Sequence, residues 1–352
     1  MRIGGDFEIE VSSFAHNEIS EFLPMPNLYR TWVDTGRSAL LLSLGEIVRQ
    51  GGVKKALIPA YICPSVITPF LKMGFQLRFY KFDGLEKTPP PESGETFLFV
   101  HYFGKKNTDA IEWIQMQRTR KQFFIIEDCV QASLNRSIGE TGDFVITSYR
   151  KFLPQPDGAL LGSRKELQID CLDEPKEAFI SEKLVGKLLK NSSIQDEFFL
   201  KALSDAEEML EILKPRKMSW LSTYMFRRTN YQDVAVARRA NWQSLYVKFC
   251  ETEMLKNLQP FIRILAQDEI PLGFPVLVKD GHRDRLRDFL ASRKIYCPVH
   301  WKLEHLKNHK PEFLDEIILS QNIMTLPVDQ RMREVHVKYL AQSVNDYFKQ
   351  GC

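Results

Sequence analysis

Residues Phe123–Gly162 read FFIIEDCVQASLNRSIGETGDFVITSYRKFLPQPDGALLG. The stretch opens on an apolar run of strand length, Phe123 to Glu127, with none of the polar alternation of a half-exposed strand. A strand covered on both faces has this pattern. Asp128 follows it directly. Further strands are expected at Phe144–Ser148 and Ala159–Gly162. In an open parallel sheet, ligands sit beyond the carboxyl ends of the strands. Asp128 is placed to point into such a crevice. Lys151 follows the next strand, three residues after Ser148.

Upstream, Ser38–Arg49 sets Leu40, Leu41, Leu44, Ile47 and Val48 on one helical face, and Gly51-Gly52 ends it. Strands are expected at Ala56–Pro59, Phe75–Tyr80 and Phe97–Tyr102, with helices at Ser65–Lys72 and Thr108–Arg120 between them. Strands separated by helices predict an α/β fold with a mostly parallel, doubly wound sheet. Downstream, Leu167–Leu213 is charged and helical, Trp220–Asn230 is aromatic and basic, and Asp233–Glu251 reads as a long helix able to bridge two domains. Strands at Phe274–Val278 and Ile295–Trp301 then alternate with helices at Arg283–Arg293 and Met332–Phe348. This predicts a large domain over residues 1–235 and a smaller C-terminal α+β domain over residues 236–352.

The chain has 352 residues, 44% hydrophobic and 26% charged, which excludes a disordered chain, a collagen or a disulfide-knotted miniprotein. With 48 basic against 45 acidic residues, a net charge of +3 gives no argument for nucleic-acid binding. No apolar run reaches the ~18–20 residues that cross a bilayer, and Met1–Glu10 has no secretory apolar core. Cys63, Cys129, Cys171, Cys250, Cys297 and Cys352 are scattered singly. No paired-cysteine spacing suggests a metal site, and reduced thiols in a cytoplasmic protein are expected.

A carboxylate and a lysine at neighbouring strand ends, with a hydroxyl beside the lysine, suit pyridoxal 5′-phosphate. That chemistry needs an amine to form a Schiff base with the aldehyde. It needs a carboxylate to keep the pyridine nitrogen protonated, so that the ring accepts electrons. It also needs donors for the phosphate. Thr35-Gly36-Arg37-Ser38 opens the first amphipathic helix, with Thr35 as candidate N-cap. Free amides and the helix dipole make such an end a phosphate site.

TGRSALLLSL, LIPAYICPSVITPFLKMGFQLRFYKFD, FVHYFG, IIEDCVQA, GDFVITSYRKFLPQPDGALL, FPVLVKDGHRDRLRDFLASRKIYCPVHW and MTLPVDQ follow one another in the order of one family. The chain resembles the DegT/DnrJ/EryC1/StrS group of pyridoxal-phosphate proteins, of aminotransferase fold type I, over about Thr31 to Tyr347. The resemblance implies that Lys151 is the Schiff-base lysine and that Asp128 pairs with the pyridine nitrogen. It implies that Gln131 hydrogen-bonds near the ring hydroxyl. Ser148, Gly36, Arg37 and Ser38 would surround the phosphate, and His101 would lie near the cofactor. It also implies a homodimer with shared active sites, with small-molecule substrates and neither nucleic acid nor membrane as partner.

The chain departs from the family at two places. The aromatic residue that usually stacks on the ring is replaced by Cys63, with Tyr61 two residues earlier. The usual glycine-rich turn after the lysine is replaced by Asp157-Gly158-Ala159. Asn230 is the candidate for the asparagine that reaches across the dimer. The activity implied is amino transfer to a keto sugar, nucleotide-linked. The alternatives are another reaction on the same scaffold, such as elimination or decarboxylation, or a binding protein that kept the fold. Lys151 argues against the sugar dehydratases of the family, which carry histidine there. His305 and His309 are read as a solvated helix face rather than a metal pair. Arg227-Arg228 and Arg238-Arg239 are read as surface ion-pair formers, or as contacts for an anionic substrate or partner.

Overall fold

Seven strands form the central sheet of the computed structural model, which describes residues 2–9, 24–169, 172–192, 195–211, 214–251, 253–309 and 311–349. Cys171 and Cys352 lie outside the described residues. In chain order the first elements are β1 (Ile3–Gly4), β2 (Tyr29–Val33), α1 (Gly36–Arg49), β3 (Lys55–Pro59), α2 (Pro64–Lys72) and β4 (Gln76–Tyr80). They continue with β5 (Thr96–Val100), α3 (Thr108–Arg118), β6 (Phe124–Asp128), β7 (Phe144–Ile146) and β8 (Ala159–Ser163). The sheet order is β2-β8-β7-β6-β5-β3-β4. β8 runs antiparallel to both its neighbours, and the other pairings are parallel. The mostly parallel sheet expected from the sequence is present.

Alternation along the strands divides two cores. Leu57, Phe97, Phe99 and Ile125 pack against Trp113 and Ile114 of α3. Ile58, Leu98, Val100 and Ile126 turn to the opposite face, against Leu40, Leu44 and Ile47 of α1. Successive side chains leave opposite faces of a strand, so an unbroken apolar run feeds both layers. Each such side chain withdrawn from water contributes about 1.5–3 kcal/mol.

The remaining elements are α4 (Glu177–Asn191), α5 (Asp196–Glu208), α6 (Trp220–Arg227), α7 (Tyr231–Glu251), β9 (Leu258–Pro260), β10 (Phe274–Val278), α8 (Arg283–Ser292), β11 (Ile295–Tyr296), α9 (Leu314–Asn322), β12 (Ile323–Leu326) and α10 (Glu334–Lys349). β12, β10 and β9 form a three-stranded antiparallel sheet. Among the described residues no helix is long and apolar enough to cross a membrane.

The structure corrects several boundaries. β2 was not expected: only Val33 is buried in YRTWV, so it shows no clean period. The expected strand Ile295–Trp301 keeps its ladder only at Ile295 and Tyr296, paired in parallel with β1. Among the described residues Arg238 and Arg239 form no surface ion pair. Arg238 is 1% exposed and donates to the carbonyls of Pro271 and Leu272 at 3.0 and 3.1 Å. Arg239 donates to the carbonyls of Ala266 and Glu269. The two arginines fasten the 266–272 loop to α7.

Candidate active site

Glu127 and Asp128 are adjacent carboxylates with opposite situations. Glu127 is buried, and burial alone would raise its pKa. His101 and the amides of Gly139, Thr141 and Gly142 bond to it, and the balance brings it down to about 2. Asp128 ends β6, level with Val100 of β5 and Ile146 of β7. Its Oδ1 accepts the Val130 amide at 2.9 Å. Among the described residues it has no ion-pair partner, and burial pushes its carboxyl up to about 6. It lines a cavity whose floor includes Leu98, Val100 and Ile146.

Lys151 enters the same cavity from the turn after β7. Tyr149–Lys151 form one 3₁₀ turn, and the Lys151 amide donates to the Ser148 carbonyl at 3.3 Å. That turn is braced from below: the Tyr149 amide donates to the Gly158 carbonyl at 3.0 Å. Gly158 has φ +115°, and a Cβ there would stand 2.8 Å from Met218 Cε, so the Asp157-Gly158 turn requires glycine. Asp157 holds Ser219 through its amide at 2.9 Å and its hydroxyl at 2.6 Å. The Lys151 amine makes no hydrogen bond or ion pair with the described residues. Its side chain is open to solvent at the cavity, and the surrounding protein lowers its pKa by desolvation, with the Arg150 charge adding to this. A lowered pKa leaves more of the amine neutral and nucleophilic.

Gln131 follows on the turn beyond β6 and lines the cavity. Its Oε1 accepts the Phe103 amide at 2.7 Å, which fixes the side chain. At the other end stands the N-terminus of α1. Thr35 caps it, with Oγ1 accepting the Ser38 amide at 3.3 Å. Gly36 and Arg37 line the cavity beside Ser148, whose amide is held by the Ser133 hydroxyl at 3.0 Å. A Cβ on Gly36 would meet Val130 Cγ2 at 3.4 Å, so bulk there would narrow the cradle.

Asp128, Gln131, Ser148, Gly36, Arg37, Cys63 and Lys151 are therefore brought together. Three expected residues are not at the wall. His101 is fully buried behind it: Nε2 faces Glu127 Oε1 at 3.0 Å, and Nδ1 accepts the Asn107 amide at 2.9 Å. Tyr61 is fully buried and donates its hydroxyl to the His300 carbonyl. Ser38 is spent within the helix cap. Asn230 lies exposed outside the cavity, capping α7 through the amides of Gln232 and Asp233.

Other wall residues were not expected: Arg150, Val130, Leu272, His300 and Trp301. His300 Nδ1 lies 3.1 Å from Thr325 Oγ1. Burial, with the Lys151 charge, lowers the imidazole to about 3 and keeps it neutral. The Trp301 ring packs on Tyr61 at 5.4 Å, so the aromatic side chain at the wall comes from the C-terminal part. The motif ending in PVHW contained both residues but gave no sign of where their side chains go. His305, expected on a solvated face, is half-buried against the Phe79 ring with Nε2 3.0 Å from the Ala60 carbonyl, while His309 is exposed. His101, Glu127 and Cys129 cluster within reach of one ion, but all three are sealed in the core, where His101 and Glu127 partner each other and nearby amides.

No family model matches the chain, and no curated protein matches it in sequence. Solved structures do match in three dimensions. A DegT DnrJ EryC1 StrS aminotransferase from Brucella abortus superposes with TM-score 0.61 at 14% identity, over 91% of this chain and 86% of that one. The sugar aminotransferase CalS13 from Micromonospora echinospora gives 0.61 at 14% identity, over 90% and 87%. NtdA from Bacillus subtilis, with bound cofactor PMP, gives 0.63 at 14% identity, over 90% and 73%. At such identities the likeness is one of architecture: this chain has the fold type I architecture of these aminotransferases.

Proposed function

We propose that the protein is a pyridoxal-phosphate-dependent aminotransferase acting on a keto sugar carried on a nucleotide. One observation carries this reading. Among the described residues, a buried carboxylate with no ion-pair partner and a lysine amine with no hydrogen bond share one cavity. A carboxyl raised by burial returns to its charged form when a cation is set against it. A pyridinium is such a cation. The donor set therefore fits the cofactor: Asp128 for the ring nitrogen, the Gln131 amide for the ring hydroxyl, and Gly36, Arg37 and Ser148 for the phosphate. Lys151 would hold the aldehyde carbon.

Pyridoxal phosphate, when bound, supplies an aldehyde for the amine and a ring that takes up electrons. The chain's residues do the rest. Asp128 keeps a proton on the ring nitrogen. The Lys151 amine would act through Nζ as general base and take the proton from the donor's α-carbon. The neutral His300 and the Trp301 indole wall the cavity, where they exclude water and meet the acceptor. The name of CalS13 supports a sugar as that acceptor.

We also propose a homodimer that shares its sites and works in the cytoplasm. Trp220 is 77% exposed on α6, with Tyr224 also exposed beyond it, an interface composition. Cys63, Cys129, Cys250 and Cys297 are free thiols, as a reducing compartment favours. The test of the activity is reduction with borohydride in the presence of pyridoxal phosphate, then mass mapping. The expected adduct is on Lys151 and is absent from Lys151→Ala. An adduct on another lysine would overturn the assignment. In a separate, unreduced sample an amino donor should alter the visible absorbance, and a keto-sugar acceptor should restore it.

A further inference from the structure

Arg150 precedes Lys151 and lines the same cavity as Arg37, Gly36 and Ser148. Its guanidinium forks onto Glu207 of α5, with Nη1 2.5 Å from Oε1 and Nη2 3.4 Å from Oε2. Glu207 Oε2 also stands 3.6 Å from Arg37 Nη2, and Oε1 lies 2.7 Å from Lys183 Nζ. One carboxylate thus gathers three cations; Asp6, 3.6 Å from Lys183, and Asp34 offset them further, and Lys187 beside Asp6 adds a fourth cation. The cluster retains a positive excess at the end of the cavity where the α1 amides have no intrahelical acceptor. Arg150 Nε is buried and has no hydrogen-bond partner among the described residues.

We infer that Arg150, with Arg37, forms a guanidinium wall for a phosphate dianion, and that Glu207 is the positioning residue that sets the two side by side. The inference rests on the pyridoxal-phosphate reading and deepens it: the dianion is the cofactor's phosphate, held by this chain's own side chains. Planar forks match the spacing of phosphate oxygens, which ammonium groups do not. The Ser148 hydroxyl and the α1 amides complete the set. Glu207 lies in the charged helical segment, outside every motif that carries the resemblance, and couples that segment to the cavity.

The test compares dissociation constants for pyridoxal phosphate and for pyridoxal, which lacks the phosphate, by fluorescence quenching in the full chain. Wild type should prefer pyridoxal phosphate. Arg150→Met should weaken pyridoxal phosphate at least tenfold more than it weakens pyridoxal, which loses only what the shifted Lys151 midpoint costs both; Arg150→Lys should fall between. Arg37→Met leaves the Arg150–Glu207–Lys183 contacts in place and should show the same selective loss, which keeps the test open if Arg150→Met does not fold. Inorganic phosphate should compete with pyridoxal phosphate in wild type and less well in Arg37→Met. Unchanged discrimination in both methionine variants would overturn the inference. So would a defect confined to the Michaelis constant of a carboxylate-bearing donor, which would make the arginines a substrate subsite. Absence of any Lys151 adduct in wild type would instead defeat the cofactor reading itself.

Discussion

The Gln131 side-chain carbonyl accepts the Phe103 amide hydrogen at 2.7 Å and so ties the turn after β6 to the turn after β5. Phe103 has φ +57°, a left-handed conformation that a bulky residue adopts only when its surroundings hold it. The bond does two things: it satisfies a buried amide, and it leaves the Gln131 NH2 group for the cavity. Substitutions separate the two. Gln131→Ala strands the Phe103 amide and is expected to cost about 1–3 kcal/mol of stability as well as cofactor affinity. Gln131→Glu keeps the acceptor but cannot donate. It should unfold close to wild type in urea yet bind pyridoxal phosphate more weakly. A Gln131→Glu variant with wild-type cofactor affinity would remove Gln131 from the binding set.

Asp128→Asn keeps an oxygen for the Val130 amide and nearly the same volume, so the fold should hold. An amide carries no charge to keep a proton on the ring nitrogen. Cofactor capture by Lys151 is expected to survive, while turnover falls by several orders of magnitude. Absorbance and steady-state rates measured on the same sample read the two effects apart. Turnover near wild type would place the electron-sink carboxylate elsewhere.

Capture of the cofactor should rise with pH, because only the neutral Lys151 amine attacks the aldehyde. Desolvation, with Arg150 beside it, lowers this amine, so the rise should level off below the ordinary lysine value of about 10.4. Replacing Arg150 by methionine removes a neighbouring positive charge and should move the midpoint upward. His300, at about 3, stays neutral over the working range and should add no further step. A stopped-flow pH profile of capture with an ordinary lysine midpoint would contradict the lowering of the Lys151 amine by its surroundings.

The parts of the site legible in the sequence are those encoded within one strand and its following turn. The run FFIIE announces a buried strand, and the residue at its end, Asp128, is thereby placed at the crevice. Ser148 and Lys151 are placed likewise by the next strand. What the sequence did not resolve is which face a residue takes at a strand end. Val100 lines the cavity, while His101, one residue on, turns into the core toward Glu127. A single step along a strand reverses the face, and composition does not report it. Tyr61 and Cys63 show a different limit: they lie in the loop between β3 and α2, where no strand period applies, and the cysteine reaches the wall while the tyrosine supports His300 from behind. Glu207 and Trp301 were missed because they arrive through tertiary packing from distant segments. β2 was missed because an edge strand with one buried residue has no pattern to read.

Lys187 and Lys190 of α4 give a pH dependence of stability opposite to that of an ordinary ion pair. Lys187 is 2% exposed, with Nζ 3.1 Å from the Phe7 carbonyl. Lys190 Nζ lies 2.7 Å from the Gly4 carbonyl and 3.5 Å from Glu8. Burial dominates in both, ahead of the neighbouring charges, and lowers each to about 8. Above that pH the folded chain begins to release protons that the unfolded chain holds up to about 10.4. The unfolded state then binds more protons, so stability rises with pH. The slope is at most about 1.4 kcal/mol per pH unit for each lysine. Urea unfolding between about pH 8 and 9.5 lies below the ordinary tyrosine ionisation near 10 but spans that of thiols near 8.5, where the buried Cys129 and Cys297 oppose the slope, so the effect is read as the difference between wild type and Lys187→Met. Lys187→Met should remove its share of the slope. It should also strengthen the fold near pH 7, where the buried ammonium costs most, less whatever the unpaired Phe7 carbonyl takes back. A slope unchanged by Lys187→Met would show that this lysine keeps an ordinary pKa in the folded chain.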